Sequence, residues 1–552
     1  MMGVFCLIAT IYSLCSIIPP QKTFFTSDTG MRWLETQTIM RQGILDPSIP
    51  YTGKDIISDM SFHPIIYPQR ITKNNKDFTN VTMVFPFLTY MSIHILGERG
   101  MRVIPVISAL IVICLLALIA EKHFKIKSLS LFTIVIAFAH PVFFYSGVLW
   151  DHETALVFSL ASVMAFMNFL SSQKTKDAIL ATILMTIAYI IRPEYAAYLL
   201  CMIFFISKKN IRILILLFIV VGIVFLPFGI IRYRMYGTFM DISAESNYSK
   251  YFSLNVLSYI EDRIYFLYRQ VVGLVSDNGI QYILIIPYVL MAVFYFKKLF
   301  NDKNKKLFIF LSLMCATVTF CDVWFTKNNF VTGIFTTTPF LLLIFFPEEW
   351  DNKTRDLVQF AIISLIVGIL IMPVNTGRHA GPRFFLLTSI CLYMPSWALW
   401  ESLRLKQKSV YKTGIYLLFV SAVVEIISLY AAGLHRFEIY KLYVNIKNAR
   451  EQVVATTVWW IPQELSDLYY KKKMFYIKSP ARLAVFLKEM ERHDIKRFIL
   501  IISGEKENIP TNVGPWSFVF IKDYYIYHNV LIFEVIYENE QRPSIRYQVY
   551  EK

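Results

Sequence analysis

The chain has 552 residues, 56% of them hydrophobic and only 17% charged, with a formal net charge of +16 and a mean hydropathy of +0.50. A water-soluble chain of this length would expose too much apolar surface, so composition excludes an ordinary soluble enzyme and points to a polytopic α-helical membrane protein. The positive balance is not a nucleic-acid signal, because Lys and Arg fall in short blocks between apolar runs, the positive-inside pattern.

The first apolar run, Val4 to Ile18, has no basic residues before it and no small-residue cleavage site ahead of Pro19-Pro20. It is expected to be a retained first span rather than a signal peptide. A few residues on comes Thr26-Ser27-Asp28-Thr29-Gly30, with an acid close to the membrane surface. Two readings stay open: Ser27 or Asp28 caps the helix that holds Trp33 and Met40, or the Asp28 carboxylate is functional. The rest of the segment 20–102 reads as a helix near 31–42, an irregular stretch with Pro47, Pro50, Pro64 and Pro68, and the short apolar piece Val84 to Leu96. Bracketed by Asn80 and Gly97, that piece suits an interfacial helix better than a span.

Runs long enough to cross a hydrocarbon core of about 30 Å occur near 3–19, 103–120, 129–148, 154–170, 178–193, 195–209, 211–230, 281–297, 307–324, 331–347, 357–374, 384–400 and 411–431. They predict about thirteen transmembrane helices. With the N-terminus cytoplasmic, one side receives Lys122, Lys125 and Lys127, then Lys174 and Lys176, Lys208 and Lys209, Lys297 to Lys306, Lys353 and Arg355, and Arg404 to Lys408. The other side receives 20–102, Trp150 to Glu153, Arg192 to Glu194, 232–280, Asn375 to Arg383 and everything after 431. The segment 232–280 is expected to hold further surface helices.

From about 432 the composition becomes that of a soluble domain. Val453 to Val458, Arg497 to Ile502, Trp516 to Ile521 and Asn529 to Ile536 are β-prone, and Pro480 to Arg492 has helical spacing. The expected organisation is a membrane module over 1–431 and a small extracytoplasmic α/β domain over 432–552. No glycine-rich phosphate loop joins strand to helix there. Lys471-Lys472-Lys473 is open to two readings, contact with anionic headgroups or a solvated strand boundary. All seven cysteines lie in or at the ends of apolar runs, so neither a disulfide scaffold nor a thiolate zinc site is expected.

Three constellations fall on the outer face. Trp150-Asp151-His152-Glu153 precedes a span, where helix amides stabilise an acid; the alternative is a plain cap, and the companion histidine of a metal site is missing. Arg192-Pro193-Glu194 is either a self-neutralising pair at a proline break or the lining of a cavity, since charge at membrane depth usually lines a pocket. In Asn375 to Arg383, Arg378, His379 and Arg383 sit among small residues on the face where positive-inside chemistry disfavours arginine. They call for a partner, either a phosphate gripped by guanidinium forks or one of Asp28, Asp151, Glu153 and Glu194.

In their order and spacing, Trp150-Asp151-His152-Glu153, Arg192-Pro193-Glu194 and Gly381-Pro382-Arg383-Phe384 resemble the polytopic glycosyltransferases of the GT-C superfamily, as in protein O-mannosyltransferases, aminoarabinose transferases and oligosaccharyltransferase catalytic subunits. The nearer likeness is to a bacterial branch with Trp-Glu-His before one span, Arg-Pro-Glu after the next and Gly-Pro-Arg-Phe/Tyr at a late one, and it extends from about residue 20 to about 475. One departure is that Asp151 stands where the branch has Glu, with Glu153 added, so the second acidic role is open to either.

The resemblance implies a GT-C fold in a bacterial cytoplasmic (inner) membrane. Its activity would be inverting transfer of a sugar from a polyprenyl-phosphate donor to a hydroxyl of a glycolipid, envelope polysaccharide or protein, on the extracytoplasmic face. The essential acid of the first outer loop would be Asp28, with Asp151 or Glu153 as second acid. Arg383, Arg378 and His379 would hold the donor phosphate, and Trp150, His152, Arg192 and Glu194 would line the pocket. No cofactor is implied, a divalent cation entering only with a pyrophosphate-linked donor. The alternatives are a transporter or flippase of a lipid-linked sugar, which needs no Asp28 base, and a non-catalytic subunit of an envelope glycan assembly.

Overall fold

Six helices among the described residues are long and apolar enough to cross a membrane: Val84–Phe124, His152–Ser172, Ile211–Tyr236, Lys305–Trp324, Asn352–Ile371 and Lys408–Asn448. They belong to a computed structural model that describes residues 1–239, 255–274, 284–297, 304–325, 330–346, 350–372, 381–504, 512–525 and 529–537. Of the other apolar runs, 384–400 forms the unbroken helix Leu386–Lys406, while several others give shorter or broken elements. The run 129–148 splits into Leu129–Phe138 and Val142–Ser146 at His140-Pro141, and 331–347 becomes Ile334–Thr337 followed by a 3₁₀ turn Pro339–Phe345. Proline causes both breaks, because it donates no backbone hydrogen bond and its ring clashes with the preceding turn. Thr175–Ile191 and Tyr195–Lys209 form two helices hinged at Arg192-Pro193-Glu194. The piece expected at the interface, Val84–Leu96, is helical and leads through a 3₁₀ turn, Gly97–Arg102, into Val103–Phe124.

Two compact units make up the chain. One comprises Met1–Gln21, Glu35–Pro47 and Asn80–Gly433, the other Lys22–Leu34, Ser48–Thr79 and Leu434–Lys552. Inside the first, buried hydroxyls tie helices together: Ser162 donates to the Ala181 carbonyl (2.6 Å), Ser108 meets Thr154 (3.1 Å), Tyr198 meets Thr388 (2.8 Å), and Ser389 meets His140 Nε2 (3.0 Å). Where apolar side chains have no water to escape from, such bonds and close packing supply the association energy.

The second unit is built on a six-stranded sheet. Its strands are β3 (Val453–Thr456), β4 (Lys473–Tyr476), β5 (Arg497–Ser503), β6 (Asn512–Val513), β7 (Trp516–Tyr525) and β8 (Asn529–Tyr537), in the order β4-β3-β5-β8-β7-β6. β3 pairs in parallel with β4 and β5, the rest antiparallel. The small hairpin β1 (Arg70–Lys73) and β2 (Lys76–Thr79) stands apart. Side chains alternate across the sheet, and both faces are covered. Val453, Ala455, Phe498 and Leu500 pack with the helix Pro480–Arg492 and with Tyr51, Ile56, Ile57 and Phe62 of the first long connection. Val454, Ile499 and Ile501 pack with Ile439, Leu442, Tyr443 and Ile446 at the end of Lys408–Asn448. A sheet buried on both sides needs hydrophobic residues in both registers, which β3 and β5 supply. The lysine run is partnered throughout: Lys471 to Asp467, Lys472 to the carbonyls of Ala449 and Glu451, and Lys473 to Asp55.

His63 locks the loop 48–79 onto this unit. The Ile65 amide donates to its Nδ1 (3.0 Å), leaving Nε2 to face the Tyr469 hydroxyl (3.4 Å), which itself donates to the Pro50 carbonyl (2.8 Å). Burial, with the charge of Arg70 adding to it, pushes the imidazole down to about 3. The stabilisation from neutral His63 is therefore complete above the ordinary imidazole value of about 6.5 and is lost as pH falls from there towards about 3, because the unfolded chain binds a proton that the folded one refuses. In His63→Asn, thermal unfolding followed by circular dichroism should show a shallower loss of stability below about pH 6.5, before the carboxylates titrate, by the slope of one proton.

Candidate functional site

Asp28 lies in the first turn of the helix Ser27–Gln42. Thr26 and Thr29 exchange reciprocal bonds, the Thr26 amide donating to Thr29 Oγ1 (3.1 Å) and the Thr29 amide to Thr26 Oγ1 (3.4 Å), which is the geometry of a capping box. The Asp28 carboxylate instead accepts from Gln69 Nε2 (3.2 Å), and its carbonyl accepts from Arg32 (2.9 Å). Gly30 holds the helix start against the C-terminal part of the same unit. A Cβ at that position would stand 1.9 Å from the Gln463 carbonyl oxygen, so only glycine fits. Next to it, His435 bonds Glu464 (2.8 Å) and meets the edge of Phe25.

The other site residues lie in the first unit, where three sequence-distant motifs come together. Asp151 stands at the start of the helix His152–Ser172 but makes no side-chain cap bond. Its carboxylate pairs with Arg192, which also takes Glu194, and all three are buried. The pair read from Arg192-Pro193-Glu194 thus exists and extends to Asp151. Around it, Thr82 and Arg232 donate to the carbonyls of Ile191 and Ile190 (2.9 Å each), satisfying the end of Thr175–Ile191.

Trp150, His152 and Tyr145 form an aromatic cluster with ring centroids 4.7 to 5.6 Å apart. The buried Arg383 guanidinium lies 5.6 Å from the Trp150 ring and 4.7 Å from that of Phe384. Gly381 makes its approach possible. At φ +76° its amide donates to the Val331 carbonyl, and a Cβ there would stand 2.8 Å from Pro141. Arg378 and His379 lie outside the described residues.

Glu153 is fully buried, and neither carboxylate oxygen has a hydrogen-bond partner among the described residues. Glu425, on Lys408–Asn448, shares both properties and was not among the candidates read from sequence. Its signal was present, as the only acid in the apolar run 411–431, where a charge is costly enough to mark function. Arg102 was also missed; it is buried and donates to the carbonyls of Pro20, Gln21 and Gly147, bracing the turn before Trp150. Among the described residues no group of three or more His, Cys, Asp or Glu has metal-ligating proximity. A cavity of about 370 Å³ elsewhere in this unit is lined by apolar side chains, including Ile264, Leu267, Tyr268, Met291, Phe335 and Leu342.

No protein-family model matches the chain, and no curated protein matches it. Among solved structures it is similar to ArnT from Cupriavidus metallidurans, bound to undecaprenyl phosphate and in the apo state, over 97% of both chains with 11% and 10% identity and a TM-score of 0.45 for each. It is also similar to the Archaeoglobus fulgidus oligosaccharyltransferase in complex with zinc and sulfate, covering 91% of this chain and 68% of that one at 11% identity and a TM-score of 0.42. At these scores and identities the likeness assigns neither family nor activity to this chain.

Arg192 holds two carboxylates away from water. Arg192→Met should cost about 3–5 kcal/mol, the penalty of leaving buried charge uncompensated, and should lower the thermal unfolding midpoint of the purified protein. Arg192→Lys, which keeps the charge but not the fork, should fall in between.

Proposed function

We propose that the chain is a membrane glycosyltransferase of the GT-C type that moves a sugar from a polyprenyl-phosphate donor to an acceptor hydroxyl. The observation that carries this reading is the meeting of the Trp150, Arg192 and Arg383 motifs in one buried cluster. An arginine caged by aromatic rings in a low-dielectric setting suits a phosphate better than it suits water.

A phosphodiester becoming a monoester is already a good leaving group, so the chemistry asks less for a strong general acid than for a fixed positive charge on the departing oxygens. Arg383 takes that role, with Arg378 and His379 as further phosphate ligands. Asp28, the acid of the first outer loop, orients or deprotonates the acceptor hydroxyl for attack on the anomeric carbon with inversion. Asp151 is engaged by Arg192, which makes it a positioning residue and leaves the second acidic role to Glu153. The apolar cavity lined by Leu267, Tyr268 and Met291 supports a place for a lipid chain. Donor and acceptor meet on the extracytoplasmic face of a bacterial cytoplasmic membrane, and a monophosphate donor needs no metal.

Transfer from polyprenyl-phosphate sugars by purified protein tests the reading. Asp28→Asn should reduce turnover by about 10²–10⁴ while donor binding persists. Arg383→Met should weaken donor binding and lower turnover by about 10²–10³. Undiminished turnover in Asp28→Asn would remove the assignment of the base, and transport of the lipid-linked sugar without transfer would replace the enzyme by a carrier.

A further inference from the structure

Glu153 and Glu425 are the two fully buried acids of the first unit whose four carboxylate oxygens have no hydrogen-bond partner among the described residues. They come from distant parts of the chain, and packing brings their helices together. A Cβ on Gly147, just ahead of Trp150, would stand 2.8 Å from Leu429 Cδ1, and Leu429 lies one turn beyond Glu425. One turn before Glu425, Ser421 Oγ accepts from the Phe340 amide (3.3 Å), fixing the inward face of the helix. At 1.5 Å per residue Glu425 stands roughly 25 Å along that helix from Lys408, at the end of the bundle where Glu153 opens its own helix.

The charges nearby do not account for these acids. Arg192 is already engaged by both Asp151 and Glu194. Carboxyl oxygens withdrawn from water without partners are costly, and a stable fold keeps such groups where a ligand satisfies them. The neighbouring wall is aromatic, formed by Tyr145, Trp150 and His152. Paired hydrogen-bond acceptors beside flat apolar faces match a ring that carries hydroxyls at its edge and C–H groups on its face.

We propose that Glu153 and Glu425 form a sugar subsite, in which the two carboxyl groups accept from hydroxyls of the transferred sugar while Arg383 holds the phosphate that carries it. This rests on the glycosyl-transfer reading and adds Glu425 as its specificity-determining residue.

The test is equilibrium binding to the purified full chain in nanodiscs, using bare polyprenyl phosphate and a panel of polyprenyl-phosphate hexoses, pentoses and N-acetylhexosamines. The wild type should bind at least one sugar-bearing lipid more tightly than the bare one. Glu425→Leu and Glu153→Leu should each shrink that preference by about tenfold, the worth of one buried hydrogen bond, with affinity for the bare lipid unchanged. Glu425→Gln, isosteric and still an acceptor, should keep most of the preference, and Arg383→Met should weaken both lipids together. The subsite is overturned if no sugar-bearing lipid is preferred, or if the Leu variants keep the preference while binding the bare lipid normally. A wild type that binds no polyprenyl phosphate at all overturns the glycosyl-transfer reading itself, and the subsite with it.

Discussion

The pairing of Arg192 with Asp151 and Glu194 shows the constraint under which the first unit is built. Away from water an ionised side chain loses hydration worth far more than any one contact returns, and it persists only where geometry restores the loss. The chain meets this in two ways. Arg192 is met by carboxylates, whereas Arg102, Arg232 and Arg263 are met by main-chain carbonyls, those of Gly147, Ile190 and Ile369 among them. Carbonyls near the C-terminal ends of helices have no intrahelical donor, so one guanidinium resolves two deficits at once. The cations thereby fasten helix ends and turns.

Against that background, the acids without partners stand out more than the acids with them. Several hydroxyls of the same interior are satisfied at 2.6 to 3.1 Å, so the packing there is close enough to supply donors, yet among the described residues none reaches Glu153 or Glu425. The second unit offers the contrast. Its buried Glu464 and Asp467 each receive donors, from His435 and Tyr443, as expected where a carboxylate serves the fold.

What could be read from the sequence followed the range of the interactions involved. Helices, the β-prone stretches after 432, and the three short motifs are local patterns, and hydropathy and turn chemistry record them directly. The break at His140-Pro141 is equally local, but a hydropathy window averages over it. Pairing across long separations is not recorded. Nothing in Tyr51, Ile56 and Phe62 announces that they cover one face of a sheet formed four hundred residues later. Asp28 lies between these cases. A cap was expected within its pentapeptide and one is present, but the bond went to Thr26 and Thr29, because a reciprocal pair satisfies two amides where a single carboxylate would satisfy one.

Asp151 and Glu153 show how two acids so close in sequence come to do different work. Two positions along an α-helix are separated by about 200° of rotation, so neighbours of this kind cannot face one partner. Asp151, at the helix boundary, turns to Arg192 at the hinge between Thr175–Ile191 and Tyr195–Lys209. Glu153, inside the first turn, is fully buried and has no hydrogen-bond partner among the described residues. A single acid between Trp and His serves one direction only. Adding Glu153 gives this chain a second direction without disturbing the first, since the Asp151–Arg192–Glu194 group is already neutralised to within one charge.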